Sequence, residues 1–307
     1  MVSRWIFYIF VNLIMIDKQD IVGVVCHDAG GSEIISSYIL QNNLSVNYCL
    51  EGPAIKIFKR KIGDIENKSL LDVINNSDWI LCGSSWQSDI EWKALYEAKN
   101  NKKKAITYLD HWVNYKERFI RSNVTHFPDE IWVGDDYAMK IIDRSFPNIK
   151  KKKINNPYFL EIRREYEKHK NVSLVNNNSI LFVSDNISGA AKKQFNNEAY
   201  YGYTDMDSLN LLIKNLDNIN ININKINIRP HPSESKDKYL WAVNKYKGLV
   251  EVVDNSKLLI DISHNKYIAG TNSMALVVAI LCEKKVYNCL PRGVASNLPF
   301  TKITSIS

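Results

Sequence analysis

The sequence has 307 residues, of which 45% are hydrophobic and 24% are charged, and its formal net charge at pH 7 is +7. This composition is typical of a globular chain with one large domain or two ordinary ones, and it excludes a disordered or fibrous protein. The charge is modest for this length and no DNA- or RNA-binding motif accompanies it, so nucleic acid is not an expected partner.

Two segments stand out in composition. Residues 5–16 form an apolar run that contains Asn12 and is shorter than the roughly 20 residues that span a bilayer. We interpret this run as an upstream extension outside the native domain, with an interfacial anchor as the alternative. Residues 150–153 are four lysines, which we interpret as a solvated edge, although an anionic membrane face or an acidic glycan could bind there.

The cysteines predict the redox compartment. There are five, an odd number without C-x-x-C spacing, at Cys26, Cys49, Cys82, Cys282 and Cys289. Most lie in apolar contexts, so we predict reduced, buried thiols with neither a disulfide framework nor a zinc site. The expected location is the cytoplasm, with peripheral contact at the inner face of the cell membrane as an open alternative.

The first half of the chain alternates strand and helix patterns. Residues 21–26 are a continuous apolar run, which is typical of a parallel strand buried on both faces. Further strands are predicted at residues 45–50, 79–83, 104–109 and 130–133, and helices at residues 69–75, 89–100 and 135–144. This alternation predicts βαβ units around a parallel sheet.

Polar residues follow the first strand. We predict that Gly30 and Gly31 form a sharp turn where the backbone approaches a ligand, with helix N–H groups behind it. The dinucleotide fingerprint G-x-G-x-x-G is absent, so NAD is not expected. His27 and Asp28 could orient a sugar, and an Asp that bonds its own turn is the alternative.

Two later strands of the first half also end in polar residues. The segment Ser-Ser-Trp at residues 84–86 is predicted to line the same site as the first turn. Asp110 and His111 follow the strand at residues 104–109, which puts a carboxylate at the carboxyl end of a parallel strand, where ligands bind in open α/β sheets. A structural carboxylate bonded to His111 or Tyr115 is the alternative for Asp110.

The second half repeats the alternation after a polar stretch at residues 168–178. The predicted strands are residues 179–185, 225–229, 249–253, 266–269 and 285–288, and the predicted helices are residues 206–216, 236–246, 256–263 and 271–282. The strand at residues 225–229 lies at the end of a β-branched run that begins at Ile219. The polar stretch therefore predicts a boundary between two α/β domains.

The β-branched strand of the second half ends in Arg229-Pro230-His231-Pro232-Ser233. Proline cannot donate to a sheet ladder, so the strand should stop there and hold His231 on a stiff turn at its carboxyl end. A helix start with a histidine and a nearby arginine is a candidate phosphate site. The alternative is that His231 only caps a turn.

A second motif lies downstream, where Gly270, Thr271, Asn272 and Ser273 separate a short apolar strand from an apolar helix. Hydroxyl groups and backbone N–H groups at such a helix start can form an anion cradle. The alternative is that Thr271 is only the N-cap of a buried helix.

A His-Pro pair followed about forty residues later by a Gly-Thr-Asn-Ser helix start resembles the bacterial sialyltransferases and polysialyltransferases of the GT-B fold. Their His-Pro and Ser-Ser/Thr motifs bind the CMP of a CMP-sugar, and the teichoic-acid glycerophosphotransferases, which use CDP-glycerol, carry a similar pair. The resemblance covers two short motifs and the order of elements. It implies an α/β, GT-B-like chain with two Rossmann-like domains facing a central cleft.

The same resemblance implies roles for the residues. Residues 17–168 would be the acceptor-side domain, and residues 179–307 the donor-binding domain. His231 would be catalytic, and the donor nucleotide would contact Arg229, Ser233, Gly270, Thr271 and Ser273. The acceptor side would include His27, Asp28, Gly30 and Gly31.

Asp110 matches a further motif of that family. Sialyltransferases of this type carry Asp/Glu-Asp/Glu-Gly after a strand of the first domain, and its acidic residue is the general base. Here His111 and Trp112 replace the second acid and the glycine. A base needs only a positioned carboxylate near the acceptor hydroxyl, so Asp110 is predicted to be catalytic.

These features predict an inverting, metal-independent glycosyltransferase without a cofactor. It would move a sialic-acid-like nonulosonate or Kdo from a CMP-sugar to a glycan or glycolipid of a surface polysaccharide. Asp135-Asp136 and Asp205-x-Asp207 occur at helix starts, where capping explains them without a metal. The alternatives are a CDP-polyol phosphotransferase, a UDP-sugar 2-epimerase, or a non-catalytic nucleotide- or glycan-binding protein.

Overall fold

The computed structural model describes residues 20–170, 176–219, 222–253 and 257–307. The apolar run at residues 5–16 lies outside these ranges, as do residues 171–175 of the predicted polar stretch. The chain divides between Pro157 and Tyr158 into an N-terminal unit and a C-terminal unit. Each unit contains a six-stranded parallel sheet.

The N-terminal unit is an α/β unit whose sheet has the order β2-β1-β3-β4-β7-β8. Its strands are β1 (Ile21–Cys26), β2 (Ser45–Leu50), β3 (Trp79–Cys82), β4 (Lys104–Leu109), β5 (Ile120–Arg121), β6 (Val124–Thr125), β7 (Glu130–Val133) and β8 (Lys150–Lys153). Its helices are α1 (Ala29–Asn42), α2 (Pro53–Ile62), α3 (Leu70–Asn75), α4 (Ile90–Asn100) and α5 (Asp136–Ser145). Strands β5 and β6 form a separate antiparallel pair.

The buried first strand is confirmed. Val22, Val24, Val25 and Cys26 of β1 are fully buried, as expected for a parallel strand that is covered on both faces. Strand β1 pairs with both β2 and β3, so it lies inside the sheet. All five cysteines of the chain are free and buried.

The lysine run of the sequence forms β8, the edge strand of this sheet. Lys151 pairs with Asp143 (3.3 Å) and Lys153 with Asp136 (2.6 Å), so these charges are compensated within the unit. Lysines on an edge strand discourage edge-to-edge pairing with another chain. The run therefore has a role in the fold that requires no external anion.

The C-terminal unit has the sheet order β11-β10-β9-β12-β13-β14. Its strands are β9 (Asn176–Val183), β10 (Lys225–Arg229), β11 (Val250–Val252), β12 (Asn265–Gly270), β13 (Lys285–Asn288) and β14 (Ile303–Ser305). Its helices are α6 (Pro157–Lys170), α7 (Ile187–Phe195), α8 (Asp205–Lys214), α9 (Leu240–Lys245), α10 (Leu258–His264) and α11 (Met274–Leu281). Among the described residues, no helix is long and apolar enough to cross a bilayer.

The strand predicted at residues 225–229 is confirmed as β10, whose register with β9 begins where Lys225 pairs with Ser179. The β-branched run starts earlier, but its first residue is not in a strand. Ile219 instead ends a short 3-10 turn and packs against the core. The helix predicted at residues 236–246 is split into a 3-10 turn, Lys236–Tyr239, and α9.

Candidate functional site

Polar side chains meet at the carboxyl ends of β1, β3 and β4. The strand order reverses between β1 and β3, and ligands of doubly wound sheets bind in the crevice at such a point. The sequence-predicted residues of the first half lie at this edge, together with two residues that the sequence did not single out. The N-terminal cluster consists of His27, Asp28, Ser84, Ser85, Glu91, Asp110 and Arg118.

Asp28 connects the ends of β1 and β3. Its Oδ1 atom accepts a hydrogen bond from the Ser85 hydroxyl (2.7 Å) and lies 2.8 Å from Nδ1 of His27. Because Asp28 accepts the bond from His27, the imidazole carries a proton on Nδ1. Gly52, with φ 51°, packs so closely on this ring that a Cβ atom there would lie 2.6 Å from His27 Nε2. The orientation of His27 is therefore fixed from both sides.

Asp110 is held by Arg118 and Ser84. The Arg118 guanidinium lies 3.2 Å from Asp110 Oδ1, and the Ser84 hydroxyl donates to the same oxygen (3.4 Å). Arg118 also donates to the backbone oxygen of Ser84 (2.6 Å), which ties Asp110 to the end of β3. The predicted alternative partners differ from these: the Tyr115 hydroxyl donates to the backbone oxygen of His111, and Nδ1 of His111 is buried without a hydrogen-bond partner among the described residues.

Glu91 is a buried carboxyl group in the first turn of α4. Its two oxygens accept hydrogen bonds from the backbone N–H groups of His27 and Ser85, each at 3.0 Å. The pKa of Glu91 is raised to about 8, mainly by burial and also by the charges of Asp28 and Asp110, against the opposite effect of the two N–H bonds. In sequence, Glu91 looks like any acidic residue at a helix start.

The sharp turn predicted at Gly30 and Gly31 was wrong, because both residues lie in the first turn of α1 and neither has a positive φ. Gly30 instead provides space: a Cβ atom there would overlap Oδ2 of Asp110. A Cβ atom on Gly31 would meet only Cα of Gly83, at 3.4 Å, which is an ordinary contact. Gly30 thus permits the position of Asp110 against the N-terminus of α1.

In the C-terminal unit, the strand order reverses between β9 and β12. Asp185 follows β9, and its Oδ2 atom accepts hydrogen bonds from the Thr271 hydroxyl and from the Asn272 N–H group (2.7 Å). Burial raises the pKa of Asp185, against the opposite effect of these hydrogen bonds. A carboxyl group therefore occupies the helix start at which the sequence predicts an anion cradle.

The other two residues of that motif have structural contacts. The N-cap of α11 is Ser273, whose hydroxyl accepts the Ala275 N–H (3.2 Å), so the alternative that Thr271 caps this helix was wrong. Gly270 allows β12 to approach β9, because a Cβ atom there would lie 2.9 Å from the backbone oxygen of Val183.

His231 lies on an exposed loop after β10, and a buried carboxylate anchors this loop. Glu234 accepts the His231 backbone N–H (2.8 Å) and pairs with Lys238 (2.5 Å). Lys238 also pairs with Asp205 (2.6 Å), the first residue of α8. Desolvation raises the pKa of Asp205, but hydrogen bonds from Lys238 and Ser188 lower it more.

The contacts of the His231 ring define its tautomer. The Ser233 backbone N–H donates to Nδ1 (3.2 Å), and the Ser233 hydroxyl lies 2.7 Å from the same atom. A backbone N–H can only donate, so Nδ1 accepts and the neutral imidazole carries its proton on Nε2. Asn186, at the end of β9, donates to the Ser233 hydroxyl (2.8 Å). This arrangement can donate a hydrogen bond from Nε2 to an anion.

Arg229 is engaged within the fold. Its guanidinium forms an ion pair with Asp261 of α10, and the side chains of Arg229 and Asp261 are only 16% and 8% exposed. Ser233 and His231 are exposed to solvent. Of the residues in the His-Pro motif, these two are therefore better placed to meet a ligand.

The acidic pairs of the sequence act mainly as caps. Asp135 caps α5 by accepting the Ala138 N–H (2.8 Å), and Asp207 forms a capping box with Thr204, as predicted. Within the described ranges, no group of three or more His, Cys, Asp or Glu side chains is arranged to hold a metal ion.

Several solved structures resemble this chain, whereas no protein-family model and no curated protein sequence matches it. A UDP-GlcNAc 2-epimerase from Methanocaldococcus jannaschii has a TM-score of 0.58 at 10% identity, covering 87% of this chain and 83% of its own. One from Neisseria meningitidis, bound to UDP-GlcNAc, has a TM-score of 0.53 at 12% identity, covering 87% and 82%. MnaA from S. aureus, in a co-structure with UDP, has a TM-score of 0.59 at 8% identity, covering 91% and 81%.

The fold is GT-B-like. It contains two Rossmann-like domains, as the sequence predicts, and identities this low carry no information on substrate. In this GT-B-like chain the sequence missed Glu91, Arg118, Asp185 and Asn186. Asp185 is the last residue of a predicted strand and Asn186 follows it directly, so the rule that located Asp110 could have found them.

Proposed function

We propose that the chain is a glycosyltransferase that binds a nucleotide sugar through the exposed His231 loop of its C-terminal unit. The observation that supports this most directly is the His231 ring, whose Nδ1 is occupied by Ser233 so that Nε2–H is the donor. A donor held on a proline-flanked loop and anchored by Glu234 is suited to bind a phosphate oxygen.

The finer proposal is a CMP-activated acidic sugar, such as a nonulosonate or Kdo, and it rests on the motif resemblance. Asp110 would take the proton of the acceptor hydroxyl, while the oxygen of that hydroxyl forms the bond to the anomeric carbon. The bond from that carbon to the phosphate oxygen breaks with inversion, and its electron pair leaves with CMP. Hydrogen bonds from Nε2 of His231 and from the side-chain amide of Asn186 would stabilise the charge that develops on the phosphate.

The contacts to the donor nucleotide that the sequence predicts at Gly270, Thr271 and Ser273 stay predictions, and we give these residues a smaller role. The carboxyl group of Asp185 accepts bonds from Thr271 and Asn272, and in its ionised form it would repel a phosphate. We therefore assign the phosphate contacts to His231 and Asn186, with Ser233 holding the His231 ring in place.

A UDP-sugar 2-epimerase is the second candidate, because two of the similar structures are UDP-GlcNAc 2-epimerases. The two functions differ in a simple assay. An epimerase converts UDP-N-acetylglucosamine into its 2-epimer without an acceptor, whereas a transferase releases free nucleotide from its donor. Incubation with CMP-sialic acid, CDP-glycerol and UDP-N-acetylglucosamine separates transfer, phosphotransfer and epimerisation.

Nucleotide binding should depend on His231. We expect CMP and CDP to raise the melting temperature more than UMP, UDP, AMP or NAD, since only a ligand bound to the folded chain stabilises it. A hydrogen bond to a charged group contributes about 1.5–3 kcal/mol, so His231→Ala should weaken CMP binding by roughly 10- to 100-fold. A titration followed by thermal shift or calorimetry measures both effects.

His264→Ala is the matched control for this experiment. His264 is also exposed in the C-terminal unit, but it precedes β12 and so lies at the amino edge of the parallel sheet. This variant should bind CMP like the parent. Equal shifts with uridine nucleotides would remove the cytidine assignment and favour a UDP-sugar, and the absence of any nucleotide shift would contradict the proposal as a whole.

The space at Gly30 tests the position of Asp110. Gly30→Ala should displace the Asp110 carboxylate from Arg118 and lower transfer by about tenfold or more, because the new methyl group takes its place. Stability should change little, since the better helix propensity of alanine, about 1 kcal/mol, offsets the cost of moving Asp110. Leu40→Ala, at an exposed position near the other end of α1, is the control and should keep parental transfer. Full activity of Gly30→Ala would show that Asp110 does not need this position.

A further inference from the structure

Trp86 is an exposed tryptophan beside the N-terminal cluster. Its exposed fraction is 47%, whereas Trp79, Trp112 and Trp132 are at most 6% exposed. Exposing a large aromatic ring to water is unfavourable, and tryptophans at binding sites are often exposed until the ligand covers them. Trp86 is therefore a candidate contact for a ligand.

The loop that carries Trp86 is held on both sides of the ring. The Ser85 hydroxyl accepts the Gln87 N–H (3.0 Å), and the Ser88 hydroxyl donates to Glu51 (2.7 Å). Arg121 donates to the backbone oxygen of Ser85 (2.8 Å). A ring that is presented on a fixed loop loses little conformational entropy when a ligand covers it.

One side of the Trp86 ring faces the Arg118 guanidinium, whose central carbon lies 5.7 Å from the ring centroid. The same guanidinium holds Asp110 at 3.2 Å. A ligand that stacks on the exposed side of Trp86 has the indole between it and Arg118, and it lies beside the N-terminal cluster. The exposed side of the ring is a place for a molecule with one apolar face and hydroxyl groups at its rim.

The charges around Trp86 indicate the class of ligand. Acidic side chains outnumber basic ones here: the carboxylates are Asp28, Glu51, Asp89 and Asp110, and the guanidinium groups are Arg118 and Arg121. Carboxylates accept hydrogen bonds from hydroxyl groups and repel phosphates. A neutral pyranose fits these groups better than a nucleotide or an acidic sugar does.

We propose that Trp86 is the stacking platform for a neutral hexose or N-acetylhexosamine ring. That this sugar is the acceptor rests on the proposed function, but its binding to Trp86 does not require a nucleotide. The sugar's C–H face covers the indole, and its hydroxyl groups lie towards the carboxylates around the Trp86 loop, such as Glu51.

Saturation-transfer NMR on the full chain, without nucleotide, tests this binding. The probes are the methyl glycosides of glucose, galactose and N-acetylglucosamine, with N-acetylneuraminic acid and CMP for comparison. We expect transfer to the C–H protons of one face of a neutral glycoside, about tenfold weaker binding by Trp86→Ala, and most of the binding kept by Trp86→Phe.

Tyr96→Ala is the control and should bind like the parent. Tyr96 is 46% exposed, and its ring lies 5.1 Å from that of His126, which precedes β7 at the opposite edge of the sheet. The proposal is overturned if no neutral glycoside receives saturation from the parent chain or if Trp86→Ala binds it equally well. It is also overturned if the Trp86-dependent ligand is CMP or N-acetylneuraminic acid. If the chain binds a neutral glycoside but not CMP, the proposed nucleotide site at His231 is contradicted, and the proposed sugar site at Trp86 stands.

Discussion

Replacement of Asp110 by asparagine is expected to lower sugar transfer by about 10²–10⁴-fold, the usual contribution of a general base, with nucleotide affinity nearly unchanged. Asparagine keeps the shape of the side chain and an oxygen that can accept from Arg118 and Ser84, but it cannot take a proton at neutral pH. The measurement is the rate of transfer beside the affinity for CMP. If the rate of transfer falls and the affinity for CMP does not, Asp110 takes part in the chemical step rather than in nucleotide binding.

The control for this prediction is Asp64→Asn. Asp64 belongs to the same unit and pairs with Lys59 (3.6 Å), but its side chain is 96% exposed and it is outside the N-terminal cluster. This variant should transfer sugar like the parent. A structural role for Asp110 would instead give a lower melting temperature together with equal losses of transfer and binding. Near-parental transfer by Asp110→Asn would place the base elsewhere, with His27 and Asp28 as the next candidates.

The buried carboxyl group of Glu91 should make the stability of the chain depend strongly on pH. Its pKa is about 8 in the folded chain, and the ordinary value of about 4.3 applies when the chain unfolds. Between these values the folded chain binds one more proton than the unfolded chain, so the free energy of unfolding falls as pH rises and levels off above about pH 8. The full change is about 5 kcal/mol at most, from about 1.4 kcal/mol per pH unit.

Denaturant unfolding at pH 5, 7 and 9 measures this effect. Glu91→Gln should remove most of the slope, because glutamine does not ionise. Its amide nitrogen cannot accept a hydrogen bond, so either His27 or Ser85 loses a partner for its N–H, at a cost of about 1–3 kcal/mol at pH 5. Glu66→Gln, in the same unit with a side chain 80% exposed, should keep the parental slope. A parental stability that is flat from pH 5 to pH 9 would contradict the prediction.

The strands near the candidate site could be predicted from the sequence. Strands β1, β3 and β4 are short apolar runs that end in polar residues, and parallel strands buried on both faces show this pattern most clearly. Their carboxyl ends lie at one edge of the sheet, so His27, Asp28 and Asp110 come together without any information on contacts.

The partners of these residues could not be predicted. Glu91 looks like an ordinary helix start, and its burial depends on how α4 packs against the end of β1. Arg118 lies in a 3-10 turn with no periodic pattern. Asp185 and Thr271 are far apart in sequence and meet only because β9 and β12 pair in the sheet. Each of these contacts is set by tertiary packing rather than by local preference.

Composition alone does not mark the ends of a strand. The alternating pattern at residues 219–228 has the β-branched composition of a strand, yet Ile219 lies in a 3-10 turn, whereas Ile226, Asn227 and Ile228 pair with both β9 and β11. Propensity favours an extended backbone, but a neighbouring strand is needed to satisfy its hydrogen bonds.

The first strand of each unit, β1 or β9, lies inside its sheet. Each sheet can therefore form its centre only after a later strand of the same unit has been synthesised. In the N-terminal unit, Val22 of β1 needs Trp79 of β3 as its partner, whereas Ile180 of β9 must wait for Tyr267 of β12. The longer connection costs more entropy to close and leaves the edge of β9 without its partner for longer. On a ribosome, the centre of the first sheet can thus form before the second, and the half-built C-terminal sheet is the stage most exposed to wrong strand pairing.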